Sequence, residues 1–288
     1  MLFFVEQPFF FPILWCFVIL IYIKQKQRVD VMYLPSFRLE YKKAIVTGAG
    51  RGIGRALAVG LAEAGADVAL FSRTKEDLEE TAKMIRELGR EALVLPTDVT
   101  NREEIQNSFK KVIEEWGIIH ILINNAGMNI RSKALDVTEE EWQKIMDTNL
   151  KSAFMMSQEV GAFMKEQNIA GRIISISSVA GHVALRTGVV YAATKAAMIQ
   201  MTKVLALEWG PFNINVNSIG PWYFKTPLTE KLLADSDYLN DILSVTPLNR
   251  VGELQELVGP AVFLSSDAGS YVTGQTLFVD GGMTIKGF

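Results

Sequence analysis

The chain has few residues that bind metals or form disulfides: across 288 positions there is one cysteine, Cys16, and two histidines, His120 and His182. A lone cysteine excludes an intrachain disulfide and suits a reducing, cytoplasmic compartment. The two histidines are far apart and neither sits in a metal-ligand spacing, so no structural or catalytic metal is expected. Long basic runs are also missing. With 29 Lys and Arg against 32 Asp and Glu, the formal net charge is −3, which argues against nucleic acid as a partner. After Leu39 there is no internal repeat, low-complexity tract or linker. Since 49% of the chain is hydrophobic, one large domain with a substantial buried core is expected over 39–288.

Residues 1–38 differ in kind. From Phe9 to Ile23 every residue is apolar, aromatic or proline, and Lys24, Lys26 and Arg28 follow. Two readings stay open. The segment can be a membrane anchor, with the basic residues holding the domain on the cytoplasmic face, although it is short for a hydrocarbon core of ~30 Å. It can also be upstream sequence translated ahead of Met32, where an ordinary domain start begins. A cleaved signal peptide fits poorly, because no basic region precedes the run and no small-residue cleavage site follows it.

Beyond Leu39, short apolar runs alternate with longer amphipathic ones. Ala44 to Thr47, Val68 to Phe71, Ala92 to Leu95, Ile121 to Ile123, Arg172 to Ile176, Ile214 to Asn217 and Thr276 to Val279 read as buried strands. Helices are expected over Ile53 to Ala64, Lys75 to Leu88, Glu103 to Trp116, Glu139 to Glu166, Val190 to Glu208 and Leu254 to Leu264. Thr138 with Glu141 reads as a capping box opening the fourth helix. This alternation predicts an α/β fold, a single doubly wound parallel sheet with helices on both faces.

Two short patterns carry chemistry. The loop TGAGRGIG, Thr47 to Gly54, follows the first strand and opens the first helix, where backbone amides and the helix dipole receive a pyrophosphate. Its spacing is Gly48-x-x-x-Gly52-x-Gly54, with Gly50, Arg51 and Ile53 between. The second pattern is Tyr191-Ala192-Ala193-Thr194-Lys195. Positions i and i+4 share a helix face, so an ammonium ~5 Å from the phenol contributes ~3 kcal/mol at an effective dielectric of ~20, enough to lower a pKa of ~10 by ~2 units. The Tyr191 to Lys195 pair alone is weak; the glycine loop decides, with Ser178 and Asn149 completing a tetrad in order.

Taken together, Thr47-Gly48-x-x-x-Gly52-x-Gly54, Asn124-Asn125-Ala126-Gly127, Asn149, Ser178, Tyr191 and Lys195 resemble the short-chain dehydrogenase/reductase family from Phe37 to the C-terminus. The stretches from Trp222 to Leu233, Thr246 to Ser266 and Val272 to Met283 most resemble its sugar-acid reductases of the gluconate 5-dehydrogenase type. The resemblance implies hydride transfer between NAD(P) and a carbonyl or secondary alcohol, here of a sugar acid such as gluconate or 5-ketogluconate. It assigns proton transfer to Tyr191, substrate-oxygen binding to Ser178 and a bridging water to Asn149. It places Asp98 and Val99 at the adenine, Asn125, Ala126 and Gly127 at its ribose, Tyr191 and Lys195 at the nicotinamide ribose, and Pro221 and Thr226 at the carboxamide. It also implies a homotetramer joined through the Glu139 to Glu166 and Val190 to Glu208 helices and the C-terminal segment. Two positions depart from the family pattern: Trp222 stands where glycine is usual, which puts the loop's backbone angles in doubt, and His120 stands where aspartate is common.

The second strand ends in Phe71-Ser72-Arg73, without the carboxylate that would hold a free ribose 2′-hydroxyl, so Arg51, Ser72 and Arg73 favour NADP over NAD. Arg131, His182, Arg186 and Lys225 lie in segments expected to border the substrate and are candidates to hold its carboxylate. Alternatives remain a 3-oxoacyl-carrier-protein reductase and a non-catalytic NADP-binding redox sensor.

Overall fold

The computed structural model of the chain describes residues 33–286. Of the leader expected over 1–38, residues 1–32 lie outside the described residues, and no described helix is long and apolar enough to cross a membrane. A compact unit begins at Ser36. Leu39 is fully buried there, and its N–H donates to the Ala64 carbonyl at 2.7 Å.

Seven parallel strands form one sheet in the order β3-β2-β1-β4-β5-β6-β7. They are β1 (Lys43–Thr47), β2 (Asp67–Ser72), β3 (Ala92–Pro96), β4 (Ile121–Asn124), β5 (Arg172–Ile176), β6 (Asn215–Pro221) and β7 (Thr276–Val279). The helices between them are α1 (Gly52–Glu63), α2 (Lys75–Glu87), α3 (Arg102–Trp116), α4 (Glu139–Met146), α5 (Ser152–Glu166), α6 (Val189–Trp209), α7 (Glu230–Leu233), α8 (Ser236–Ser244) and α9 (Gln255–Ser265).

Successive strand side chains point to opposite faces, and both faces are apolar. Val46, Leu70, Ile123 and Ile174 pack on one side with Leu57 and Leu61 of α1, Ile85 of α2 and Leu257 of α9. Ile45, Phe71, Leu122 and Ile173 pack on the other with Phe109 of α3, Val160 of α5 and Leu205 of α6. Each such side chain, fully buried, contributes on the order of 2 kcal/mol. This two-sided burial is why the strand sequences are continuous apolar runs and not alternating ones.

Three expectations need correction. The helix expected over Glu139 to Glu166 is interrupted: residues Asp147–Lys151 form a π-helical turn between α4 and α5. The capping box is half formed. Thr138 Oγ1 accepts from the Glu141 N–H at 3.2 Å, but the Glu141 carboxylate accepts from Ser132 Oγ at 2.6 Å. The doubt raised by Trp222 disappears, because Trp222 is not among the described residues with positive φ, and its indole N–H donates to Thr246 Oγ1 at 3.0 Å. His120 serves the sheet itself, since its Nδ1 accepts the Lys43 N–H at 3.1 Å at the start of β4.

Candidate active site

Every element named in the two sequence patterns comes to the carboxyl end of the sheet, the edge where open parallel sheets bind ligands. Gly48 to Gly54 bridge β1 and α1; Ser72 and Arg73 end β2; Asp98 and Val99 follow β3; and Asn125 to Gly127 follow β4. Ser178 follows β5, Tyr191 and Lys195 lie in the opening turns of α6, and Pro221 ends β6 with Thr226 beyond it.

The glycine loop has the geometry of an anion cradle. Gly48 has φ +65°, and a Cβ built on Gly54 would lie 2.1 Å from the Gly48 carbonyl oxygen. A side chain is therefore excluded where helix and strand meet. On Gly52 a Cβ would find only Pro227 and Thr226, each at 3.8 Å, so this glycine borders open space opposite the β6 loop. No side chain caps α1 and no acidic residue stands in its first turn, which leaves the leading amides for an anion. The Thr47 hydroxyl accepts from the N–H groups of Asn125 and Ala126, both at 3.0 Å, and ties this loop to the one after β4. Arg55 donates to the Gly50 carbonyl through Nε at 2.9 Å. Arg51 and Arg73 are exposed and form no ion pair among the described residues.

The tetrad is assembled by short polar links. Asn149, fully buried in the π-helical turn, accepts the Met128 N–H on Oδ1 at 2.8 Å and donates Nδ2 to the Met128 carbonyl at 2.9 Å. The same amide reaches Thr194 Oγ1 at 3.3 Å, and Thr194 donates to the Tyr191 carbonyl at 2.7 Å. Ser177 Oγ donates to the Lys195 carbonyl at 3.2 Å, and Ser178 Oγ accepts the Ala180 N–H at 3.1 Å. A Cβ on Gly181 would lie 2.6 Å from the Lys195 carbonyl carbon, so the turn after Ser178 rests directly on the backbone of α6.

The expected lowering of the Tyr191 pKa is overturned. Lys195 Nζ donates to the Ile176 carbonyl at 2.7 Å and sits 5.5 Å from the Tyr191 ring centre. Burial pushes the phenol above its ordinary value, against the opposing pull of the Ser178 hydroxyl and the Arg131 charge. Burial also brings the Lys195 ammonium down to about 8. Tyr191 is thus held as a protonated phenol beside Ser178.

Of the candidate substrate cations, two are already neutralised. Lys225 is paired with Glu253, and Arg186 is paired with Asp241 at 2.6 Å. His182 packs its ring against Phe278 with centres 5.0 Å apart. Arg131 is different. It donates Nη1 to the Tyr238 hydroxyl at 2.9 Å and has no carboxylate within ion-pair distance among the described residues. Sequence reasoning missed Thr47, Arg55, Thr194, Ser177, Tyr223 and Tyr238. Of these, Thr47 and Thr194 stood inside quoted motifs and Tyr223 inside the quoted stretch from Trp222 to Leu233.

A family model described as enoyl-(acyl carrier protein) reductase matches residues 48–284, which include the glycine loop, the tetrad and the loop after β6. The chain is a short-chain dehydrogenase/reductase. Members of this family are oxidoreductases that act on CH–OH groups with a nicotinamide cofactor. The chain is 42% identical over 252 residues to a tropinone reductase homolog of Arabidopsis thaliana, covering 86% of this chain and 94% of that one. It is 40% identical over 251 residues to the gluconate 5-dehydrogenase of Gluconobacter oxydans, covering 87% and 97%. Among solved structures it is similar to a gluconate 5-dehydrogenase from Burkholderia cenocepacia J2315 in complex with NADP and tartrate, with a TM-score of 0.85 and 37% identity. That match covers 89% of this chain and 100% of that one.

Proposed function

We propose that this dehydrogenase/reductase interconverts the carbonyl and secondary alcohol of a polyhydroxylated sugar acid of the gluconate/5-ketogluconate type, using NADP. The observation that carries the substrate reading is Arg131, a cation in the loop after β4 that lacks a carboxylate partner among the described residues. A carboxylate held by arginine in a partly closed site contributes ~1.5 to 3 kcal/mol. The gluconate 5-dehydrogenase relatives are consistent with such a substrate. The NADP reading rests on Arg51 and Arg73, both exposed and without ion-pair partners among the described residues, beside a β2 terminus lacking an acid.

When bound, NADP(H) would supply the hydride chemistry; Gly48 to Gly54 would hold its pyrophosphate, and Lys195 and Thr226 would hold the nicotinamide end. Tyr191 donates its proton to the carbonyl oxygen, which becomes the product hydroxyl. Ser178 hydrogen-bonds that oxygen while negative charge grows on it. In the oxidative direction the same groups run in reverse.

The test is a cofactor-coupled screen of sugar acids, uncharged polyols and acyl thioesters, followed by Arg131→Ala. A roughly ten- to hundredfold rise in KM confined to the acid supports the reading. Preference for an acyl thioester or a polyol in the wild type rejects it.

The assembly belongs to the same proposal: a homotetramer in the cytoplasm, with Trp142, Phe154, Val204 and Leu207, all exposed on α4 to α6, facing another subunit. Sedimentation gives the subunit number. We place the catalytic domain at 39–288 and expect a chain starting at Met32 to turn over normally; loss of specific activity on removing residues 1–31 would contradict that boundary.

A further inference from the structure

The hydrogen-bond network around Arg131 extends beyond the residues that the sequence patterns single out. Asp235 caps α8, its Oδ1 accepting from the Asp237 and Tyr238 N–H groups at 3.0 and 3.1 Å, which fixes Tyr238 in the first turn. The helix is then held by two arginines from separate loops. Arg186 grips Asp241 at 2.6 Å and places its guanidinium carbon 5.6 Å from the Tyr238 ring centre. Arg131 contacts the Tyr238 hydroxyl, with its own guanidinium carbon 6.0 Å from that ring. Behind Tyr238, the Tyr223 hydroxyl lies 2.5 Å away.

The proton direction in this pair follows from burial. Tyr223 is 7% exposed, and its hydroxyl meets two side chains, the Tyr238 oxygen at 2.5 Å and the Arg131 guanidinium, of which only Tyr238 can accept. A buried hydroxyl uses its proton on the acceptor available to it, so Tyr223 donates to Tyr238. Burial and the Tyr238 contact hold Tyr223 protonated, its pKa pushed up to about 12. Tyr238 therefore accepts twice, from Arg131 and from Tyr223, and both lone pairs of its oxygen are engaged. Its own O–H is left to donate, polarised by a cation and a second hydroxyl acting on the same oxygen.

We propose that Tyr238 is a specificity-determining residue that donates this hydroxyl to the substrate carboxylate beside Arg131, with Tyr223 holding it in that orientation. An anionic oxygen is the acceptor that best matches a donor polarised by an adjacent guanidinium. The unused guanidinium donors of Arg131 lie next to the same acceptor. Substrate selection would then be divided between the loop after β4 and helix α8, while Ser178, Tyr191 and Lys195 act on the carbonyl. This inference rests on the sugar-acid reading and adds the second half of the carboxylate site.

The experiment compares gluconate with its uncharged analogue sorbitol, using the full chain with NADP, in wild type, Tyr238→Phe and Tyr223→Phe. Tyr238→Phe keeps the ring between the two arginines and the Arg186 to Asp241 pair that anchors α8. The expected result is a KM for gluconate raised about tenfold with kcat within about twofold, and an unchanged KM for sorbitol. Tyr223→Phe should give a smaller rise of the same kind, and it decides the matter if Tyr238→Phe does not fold. A wild type that prefers gluconate while neither variant raises its KM overturns the assignment of Tyr238 and leaves the sugar-acid reading intact. Equal losses of kcat on both substrates assign the pair a structural role and also overturn it. A wild type without preference for gluconate overturns the sugar-acid reading, and this inference falls with it.

Discussion

Asn149 holds both backbone groups of Met128, accepting from its N–H at 2.8 Å and donating to its carbonyl at 2.9 Å. The side chain completes, across two elements, a pairing that backbone groups usually make with each other. Asn149→Ala would leave a half-buried N–H and C=O unpaired at a cost of about 1 kcal/mol. It would also loosen the loop that carries Arg131. The expected outcome is a lower melting temperature together with a fall in kcat/KM of tenfold or more, read by calorimetry and steady-state kinetics. Unchanged kinetics in a destabilised protein would confine Asn149 to stability.

Tyr191→Phe removes the proposed proton donor and leaves the backbone contact from Thr194 in place. Loss of a positioned acid or base typically costs 10² to 10⁴ in rate, so kcat should fall by about that factor. Cofactor affinity, followed by fluorescence titration, should stay within about threefold because the phosphate cradle is untouched. A variant retaining more than about a tenth of the rate would assign the proton to another group.

Arg51 and Arg73 have no structural partner to lose among the described residues. Alanine at either should raise KM for NADP by roughly ten- to hundredfold and leave KM for NAD unchanged. A wild-type kcat/KM at least tenfold higher with NAD would reject the NADP assignment outright.

His120 gives the domain an acid-sensitive joint. Burial, aided by Lys42 and Lys43, brings its pKa to about 4, below an unfolded value of 6.5. Between these values the unfolded chain binds a proton and the folded one does not, so stability is complete above about pH 6.5 and is lost as pH falls toward 4. The ceiling is about 3 kcal/mol, reduced by solvent around the partly exposed ring. Urea midpoints across that range should fall more steeply for wild type than for His120→Asn; parallel slopes would remove His120 as the cause.

The sheet was legible because most strands carry apolar residues on both faces, and Arg172–Ile176 and Thr276–Val279 have the bounds read from the sequence. The π-helical turn was not legible. Asp147 to Lys151 holds neither proline nor glycine, and the long-range contact between Asn149 and Met128 that accompanies its extra residue per turn has no signal in local spacing. Helices α7 and α8 escaped because they are short, four and nine residues, although Tyr238, Leu239, Ile242 and Leu243 recur at helical spacing. At the site, the order Asn149, Ser178, Tyr191, Lys195 was readable, but the field around Tyr191 was not. Spacing on a helix does not reveal that Lys195 Nζ turns to the carbonyl of Ile176. Nor does it reveal which cations are already matched: Glu253 and Asp241, which silence Lys225 and Arg186, lie 28 and 55 residues away along the chain.

The bare Gly181 backbone pressed onto α6 at Lys195 has a consequence for anyone redesigning this enzyme. Ser178 and the Tyr191 to Lys195 pair cannot be moved independently, since even a methyl group at Gly181 would shift the turn carrying one against the helix carrying the others. The reacting groups behave as a single machined part. Directed evolution should find new substrates in the loop around Arg131 and in α8, and should find almost no tolerated variation at Gly181.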